Sequence, residues 1–278
     1  MGIQRKAWVL KETGKPLVEE SLELEDPAPS DVIVEVEACG LCHTDLGFAE
    51  GGVAPRMGLP IVLGHEVVGT VRAAGERYAA LLGQKVLVPS VMPCGDCPFC
   101  RAGRGNACLK QKMPGNDIQG GFGTHLVAPG ASMVSLADAP ASVKTDSLSV
   151  VADAVSTAYQ AVQRSGLKAG DVAFVVGGGG VGGFTAQIAK ALGAKTIVCD
   201  VQEERLAGLA SLGIDHTCNV TGREAKDVRK ELHGKAKEWA IPGVEPAEPT
   251  RLGEIPWLEP YPDALLEGAI NVPLGPEA

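Results

Sequence analysis

Residues 170–200 read GDVAFVVGGGGVGGFTAQIAKALGAKTIVCD. A β-rich apolar run ends at Val176, a glycine turn follows it, a helical stretch runs on from the turn, and a second β-rich run ends on Asp200. Gly177, Gly179 and Gly182 make a G-x-G-x-x-G pattern where strand gives way to helix. Each position has a physical use there. The first glycine makes a tight turn, the second lets a pyrophosphate approach the backbone, and the third lets the helix pack close to the strand. The positive end of the helix then faces the anion. Asp200 is placed to accept hydrogen bonds from both ribose hydroxyls of NAD, and its charge repels a 2'-phosphate, so NAD is favoured over NADP. Arg205 reads as a solvated residue on the following helix.

The pattern continues outward from this stretch. SVVADAVSTAYQAVQRSG (149–166) reads as a helix ending near Gly166, and GDVAFVV as a buried strand. EERLAGLASLG (203–213) reads as a helix, DHTCNV (215–220) as a short strand, and REAKDVRKELHGKAKEWA (223–240) as a charged helix. Alternating strands and helices predict a parallel sheet. Residues 5–90 differ in character and read as strands and turns. VIVEVEACG (32–40), IVLGHEVVGTV (61–71) and KVLVPSVM (85–92) are short β-rich runs broken by glycine and proline. The expected architecture is therefore α/β: a compact β-rich, barrel-like domain over 1–150, a partial doubly wound nucleotide-binding domain over 151–240, and an atypical tail over 241–278. That tail holds six prolines between Ile241 and Asp263, and at most one short helix around DALLEGA (263–269).

Composition narrows the function classes. The chain has 278 residues, 45% of them hydrophobic, which suits a globular protein with real cores. A net charge of −9 argues against nucleic acid as a partner, because phosphate backbones require a concentrated basic surface. No stretch is long and apolar enough to span a membrane, and the first twenty residues do not read as a secretory leader. Clustered cysteines without such a leader favour metal binding in a reducing compartment, with the cytoplasm as the expected location.

Four of the eight cysteines lie in CGDCPFCRAGRGNAC (94–108). Cys94, Cys97, Cys100 and Cys108 at this spacing can close a tetrahedral thiolate shell on one zinc ion, a structural site with no open position. A second group combines CGLCHTD (39–45) with LGHE (63–66). Cys42 and His65 are candidate ligands of a catalytic zinc, and Asp45 is placed to accept a hydrogen bond from the imidazole nitrogen that the metal leaves free. A catalytic zinc needs a third ligand and one open position. Asp153 is one candidate, because a carboxylate in an apolar helical run is costly unless paired or coordinated; an exposed helix-face residue or a helix N-cap is the alternative. Glu66 is the competing oxygen donor. Zinc beside a nicotinamide implies alcohol oxidation by hydride transfer, with Thr44 placed to pass the alcohol proton outward.

Taken together, these motifs resemble the zinc-dependent medium-chain alcohol dehydrogenases over residues 1 to about 240. The resemblance implies a GroES-like catalytic domain followed by a Rossmann domain, with one catalytic and one structural zinc and NAD as cofactors. It puts Cys42, His65 and Asp153 at the catalytic-zinc positions, where many members carry cysteine in place of Asp153. It also puts His43 against the cofactor pyrophosphate, Thr44 at the start of a proton relay, and Asp45 and Glu66 in support of the zinc shell. Many members carry a relay histidine shortly after the first motif; DLGFAE (45–50) has none, so proton escape must differ.

QKMPGNDIQGGF (111–122), VVADAVSTAYQA (150–161) and VVGGGGVGGFTAQIAKALGAK (175–195) further resemble the 6-hydroxycyclohex-1-ene-1-carbonyl-CoA dehydrogenases of aromatic degradation. The implied substrate is then an alicyclic acyl-CoA alcohol. The sequence supplies three strands of the nucleotide sheet where the full doubly wound fold has six, so truncation after about residue 240 is expected. A catalytically inactive zinc- and nucleotide-binding paralogue is thus one alternative function, and a general zinc alcohol dehydrogenase with another substrate is a second. The homo-oligomeric assembly of intact relatives is in doubt for the same reason. PWLEPYPDALLEGA (256–269) is similar to a linker segment of bacterial extracytoplasmic-function sigma factors, but the chain lacks the basic recognition surface of a regulator.

Overall fold

A computed structural model describes residues 2–239. Residues up to Arg229 form one compact unit, described here by itself, and a second begins at Lys230. The expectations for the proline-rich stretch and the DALLEGA helix lie outside the described residues.

The first part of the chain builds two antiparallel sheets. In the larger one, β3 (Asp31–Gly40) and β5 (Glu66–Ala74) lie side by side, flanked by β6 (Lys85–Val88), β7 (His125–Pro129) and β8 (Val134–Ser135) in the order β7-β3-β5-β6-β8. The smaller one has the order β2-β1-β4, from β1 (Ile3–Leu10), β2 (Val18–Leu24) and β4 (Ile61–Val62). Strand β1 alternates as a half-buried strand should: Arg5, Ala7 and Val9 point inward, and Lys6 and Trp8 outward. Val32, Val34, Val67, Val71, Val86, Val88 and Leu126 form the main core, all fully buried β-branched or aliphatic side chains. Burying each contributes about 1.5–3 kcal/mol before entropy is counted.

The register of β3 against β5 places the future site. It runs from Val32 opposite Ala74 to Gly40 opposite Glu66, so the two strands deliver their ends to one spot. IVLGHEVVGTV does not form one strand. It divides into β4 and β5 around Gly64 and His65, because Gly64 takes φ +95°, where a side chain is strained, and a Cβ there would also collide with Phe122 and Cys39. KVLVPSVM likewise ends its strand at Val88, before Pro89. The region expected to hold only strands and turns also contains α1 (His43–Glu50). A short helix α2 (Pro98–Arg101) lies within the cysteine run.

The parallel half follows the predicted order. Strands β9 (Val172–Val176), β10 (Lys195–Asp200) and β11 (His216–Asn219) form a three-stranded parallel sheet in the order β11-β10-β9. Helices α4 (Gly180–Ala191) and α5 (Glu203–Ser211) alternate with them, α3 (Ala154–Ser165) precedes them, and α6 (Ala225–Glu238) follows. Two expectations need correction. Strand β9 is not buried: Phe174 is 47% and Val176 88% exposed, because β9 is the sheet's edge and only β10 pairs with it among the described residues. The helix expected from residue 149 starts only at Ala154. The stretch Asp146–Ala152 is a tight 3-10 turn, and Asp153 breaks it from the helix with φ −138° and ψ −73°. The C-terminal limit was legible, since Gly166 closes α3 in the left-handed conformation.

Candidate functional site

The cysteine run folds back on itself through α2 and a second tight turn at Gly105–Ala107. Cys97 Sγ lies 3.4 Å from Cys100 Sγ and 3.8 Å from Cys108 Sγ, and Cys94 Sγ lies 3.9 Å from Cys100 Sγ. A zinc tetrahedron with bonds of about 2.3 Å has sulfur–sulfur edges of about 3.8 Å. The three distances bracket that edge, and all four sulfurs lie within 4.8 Å of one another, close enough to share one ion. Backbone N–H groups of Cys94 and Lys110 donate to Cys108 Sγ, each at 3.3 Å. A donor facing sulfur favours the thiolate. The Cys100 backbone N–H holds Cys97 down to about 6, and the Cys94 backbone N–H lowers Cys108. The Asp96 carboxylate, in contrast, pushes Cys94 up to about 12 and burial raises Cys100, so thiolate character is built into two of the four by the protein alone. This fit supports a structural zinc held by all four cysteines.

Three residues far apart in the chain make the second cluster. One ligand atom from each of Cys42, His65 and Asp153 lies within 4.8 Å of the others. Asp153 Oδ2 is 3.7 Å from Cys42 Sγ and 3.3 Å from His65 Nε2. A zinc tetrahedron of the same donor types has sulfur–oxygen edges of about 3.6 Å and nitrogen–oxygen edges of about 3.4 Å. His65 is wholly buried, and neither ring nitrogen makes a well-aligned hydrogen bond. A buried imidazole without hydrogen bonds is costly, and a metal at Nε2 removes that cost. Burial lowers the His65 pKa, but contact with Asp153 and then Asp45 outweighs it and raises it to about 11. The two carboxylates draw positive charge to the imidazole, and a metal at Nε2 would take the place of the proton there. The Cys, His and Asp donors fit zinc.

Asp45 joins the parts. Its Oδ2 accepts from the Cys42 N–H at 3.0 Å, its Oδ1 from the Gly64 N–H at 3.0 Å, and Oδ1 is 3.2 Å from His65 Nδ1. One carboxylate, 1% exposed, thus fixes the start of α1 to the loop carrying His65. The hydrogen bond expected between Asp45 and His65 has the distance but not the alignment. Glu66 is also buried, and its Oε1 accepts from the Ala154 N–H at 3.0 Å. Burial pushes the Glu66 carboxyl up, with the Ala154 N–H opposing and the Asp153 charge adding to it. Glu66 therefore holds the beginning of α3 to the beginning of β5. Thr44 is exposed on α1 with its hydroxyl 3.7 Å from Cys42 Sγ. His43 is exposed at the first position of the same helix.

The glycine turn takes the form its three uses require. Gly177 has φ +91°, a Cβ on Gly182 would collide with the Gly177 carbonyl, and the space beside Gly179 is open. Asp200 receives the Gly178 N–H at 2.6 Å and the Gln202 N–H at 2.8 Å. Burial raises its pKa, but those two N–H groups outweigh it and leave it lowered, so the carboxylate stays ionised. Arg205 is not simply solvated: its guanidinium reaches to 3.9 Å of Asp200. The turn also adjoins the metal cluster, since a Cβ on Gly180 would lie 3.9 Å from Ala154 Cβ.

Two contacts were missed by the sequence reading. Ser90 donates its N–H and its hydroxyl to the Ala152 carbonyl, at 3.2 and 3.0 Å. Thr157 donates its hydroxyl to Asp153 Oδ1 at 2.8 Å. The spacing from Asp153 to Thr157, one helical turn, was the available signal for the second. Nothing local in the sequence marks Ser90.

Comparison with known proteins identifies the family. Residues 28–138 match the alcohol dehydrogenase GroES-like domain, and residues 180–240 match the zinc-binding dehydrogenase family. An alcohol dehydrogenase of Geobacillus stearothermophilus is 30% identical over 87% of this chain and 72% of its own length. The NAD-dependent alcohol dehydrogenase of Sulfolobus acidocaldarius is 32% identical over 85% of this chain and 70% of its own. The solved alcohol dehydrogenase of the archaeon Aeropyrum pernix superposes with a TM-score of 0.73 at 33% identity, covering 82% of this chain and 69% of that one. With its two cysteine-bearing clusters and its glycine turn in these places, the chain belongs to the zinc-dependent medium-chain alcohol dehydrogenase family.

Proposed function

We propose that this protein oxidises a secondary alcohol, passing the carbinol hydride to NAD+ and the hydroxyl proton to solvent. The observation that carries this reading is the convergence of Cys42, His65 and Asp153 at zinc-ligand separations, next to the start of the helix that follows the glycine turn. Zinc in that cluster acts as a Lewis acid towards the alcohol oxygen and lowers its pKa. Cys42, His65 and Asp153 would hold the ion, and Asp45 and Glu66 keep those three side chains in place. Thr44, exposed beside Cys42, receives the alcohol proton and releases it directly to water, with no relay histidine following it. The backbone from Gly177 to Gly182 receives the pyrophosphate with His43 facing it, and Asp200 takes the ribose hydroxyls, which favours NAD. Cys94, Cys97, Cys100 and Cys108 hold the structural zinc. The working division is a catalytic domain over 1–150 and a nucleotide domain over 151–240.

Within that class, the stretches 111–122, 150–161 and 175–195 support 6-hydroxycyclohex-1-ene-1-carbonyl-CoA as substrate, an alicyclic acyl-CoA from aromatic degradation. The test is NADH formation by the purified, zinc-loaded chain with that thioester and with simple secondary alcohols. Turnover of the thioester alone supports the finer reading. Turnover of simple alcohols alone leaves a general alcohol dehydrogenase. No turnover by protein holding two zinc ions overturns the catalytic reading in favour of a zinc- and nucleotide-binding paralogue.

A further inference from the structure

We infer that Thr157 is a positioning residue that presents Asp153 to the metal, an inference that rests on the zinc site proposed above. Asp153 stands at the N-cap of α3, where an aspartate normally turns its carboxylate back onto the free N–H groups of the first helical turn. Here it makes no such cap hydrogen bond. The N–H of Ala154, the first residue of the helix, is taken by Glu66 Oε1 at 3.0 Å. The Asp153 carboxylate therefore does no capping, and both of its oxygens are free for other partners.

A carboxylate that does no capping needs something to set its plane. Thr157, one turn along α3, donates its hydroxyl to Oδ1 at 2.8 Å, and its own N–H donates to the Asp153 carbonyl at 2.7 Å. With Oδ1 occupied, Oδ2 is the oxygen left facing Cys42 at 3.7 Å and His65 at 3.3 Å. The two carboxylate oxygens therefore have separate tasks, one tied to the helix and one turned to the metal. A cysteine ligand has a single sulfur and needs no such orientation; an aspartate rotates about its terminal bond and does. The hydrogen bond also restrains a side chain that would otherwise lose rotamer freedom on coordination.

The test compares the full-length protein with Thr157→Val, which keeps the shape and removes the hydroxyl, and Thr157→Ser, which restores it. Zinc content is counted for each. The second site is then titrated with cobalt(II), whose visible absorption reports ligand geometry. The occupied four-cysteine site serves as an internal measure of folding. The expected result is a loss of cobalt affinity at the second site of about ten-fold in Thr157→Val, with a changed spectrum, a retained structural zinc, and recovery in Thr157→Ser. Wild-type affinity and spectrum in Thr157→Val overturn the inference while leaving the metal site standing, as does equal weakening in both variants. A wild-type protein that binds metal only at the four cysteines overturns the proposed site and the inference with it.

Discussion

The two candidate zinc clusters are built in opposite ways. Cys94, Cys97, Cys100 and Cys108 span fifteen residues of one looped segment, and that segment has little other structure to stand on than two short helical turns. Cys42, His65 and Asp153 come from the start of a helix, the gap between two strands and the start of another helix. Asp45, Glu66 and the β3–β5 register tie them together through the protein's own contacts. The difference is one of dependence. In the first cluster the metal is expected to make the structure; in the second the structure makes the metal site.

The sharpest way to break this contrast is to remove one ligand from each. Cys108→Ser should cost one zinc and several kcal/mol of stability, since a closed structural site contributes its binding energy to folding. It should appear as a large fall in thermal midpoint together with one zinc instead of two by elemental analysis. Cys42→Ser should also cost one zinc, but with the thermal midpoint nearly kept and alcohol oxidation reduced by about a thousand-fold or more. The roles are wrongly assigned if Cys42→Ser proves the less stable variant, or if Cys108→Ser keeps both ions.

The same contrast explains what could be read from the sequence. A ligand set within one short segment is visible in its spacing, and so is a strand–glycine–helix junction, because their geometry is local. Cys42 and His65 were legible only as residues following β-rich runs, and Asp153 only as a carboxylate out of place in an apolar stretch. The contact of Glu66 with the first residue of α3 was not legible, because it depends on the start of β5 meeting the start of that helix across 88 positions of sequence. Helix α1 was missed for a related reason. Its start is set by Asp45 receiving the Cys42 N–H, and that aspartate was read only as a partner for histidine. Strand β9 was read as buried because Val-Ala-Phe-Val-Val is apolar throughout. A sheet of only three strands was nevertheless expected to leave this first strand with an unpaired edge, and the order β11-β10-β9 puts it there.

The nucleotide turn lies between the two extremes, local in its glycines but dependent on Asp200 from the next strand. Replacing Asp200 with asparagine keeps the shape and removes the charge. We expect the KM for NAD+ to rise about ten-fold, the value of one or two charge-assisted hydrogen bonds. The KM for NADP+ should change little or fall, since the repulsion of a 2'-phosphate is gone while Arg205 stays. Steady-state kinetics with both cofactors check this, and an unchanged ratio of the two constants would remove Asp200 from cofactor selection.

The smallest effect concerns an assembled polar cluster with no chemistry to perform. Asp215, just before β11, receives the Thr196 N–H at 3.0 Å and the Thr196 hydroxyl at 3.1 Å, with Lys195 at 3.1 Å and Lys190 at 3.2 Å. Burial raises its pKa, but these donors and cations outweigh it and bring it to about 2. A carboxylate whose pKa is lower in the folded chain stabilises the fold at pH values above its unfolded pKa. That contribution fades as pH falls from about 4 towards about 2. Asp215→Asn should therefore lower stability at pH 7 by at most about 2 kcal/mol, since the amide retains part of the hydrogen bonding. Denaturant unfolding between pH 7 and pH 3 should show the wild type losing stability more steeply than the variant below about pH 4.5, so that the two curves converge. Parallel curves across that range would mean that Asp215 acts through packing alone, and that an assembled cluster of charges in this fold need not carry electrostatic stability.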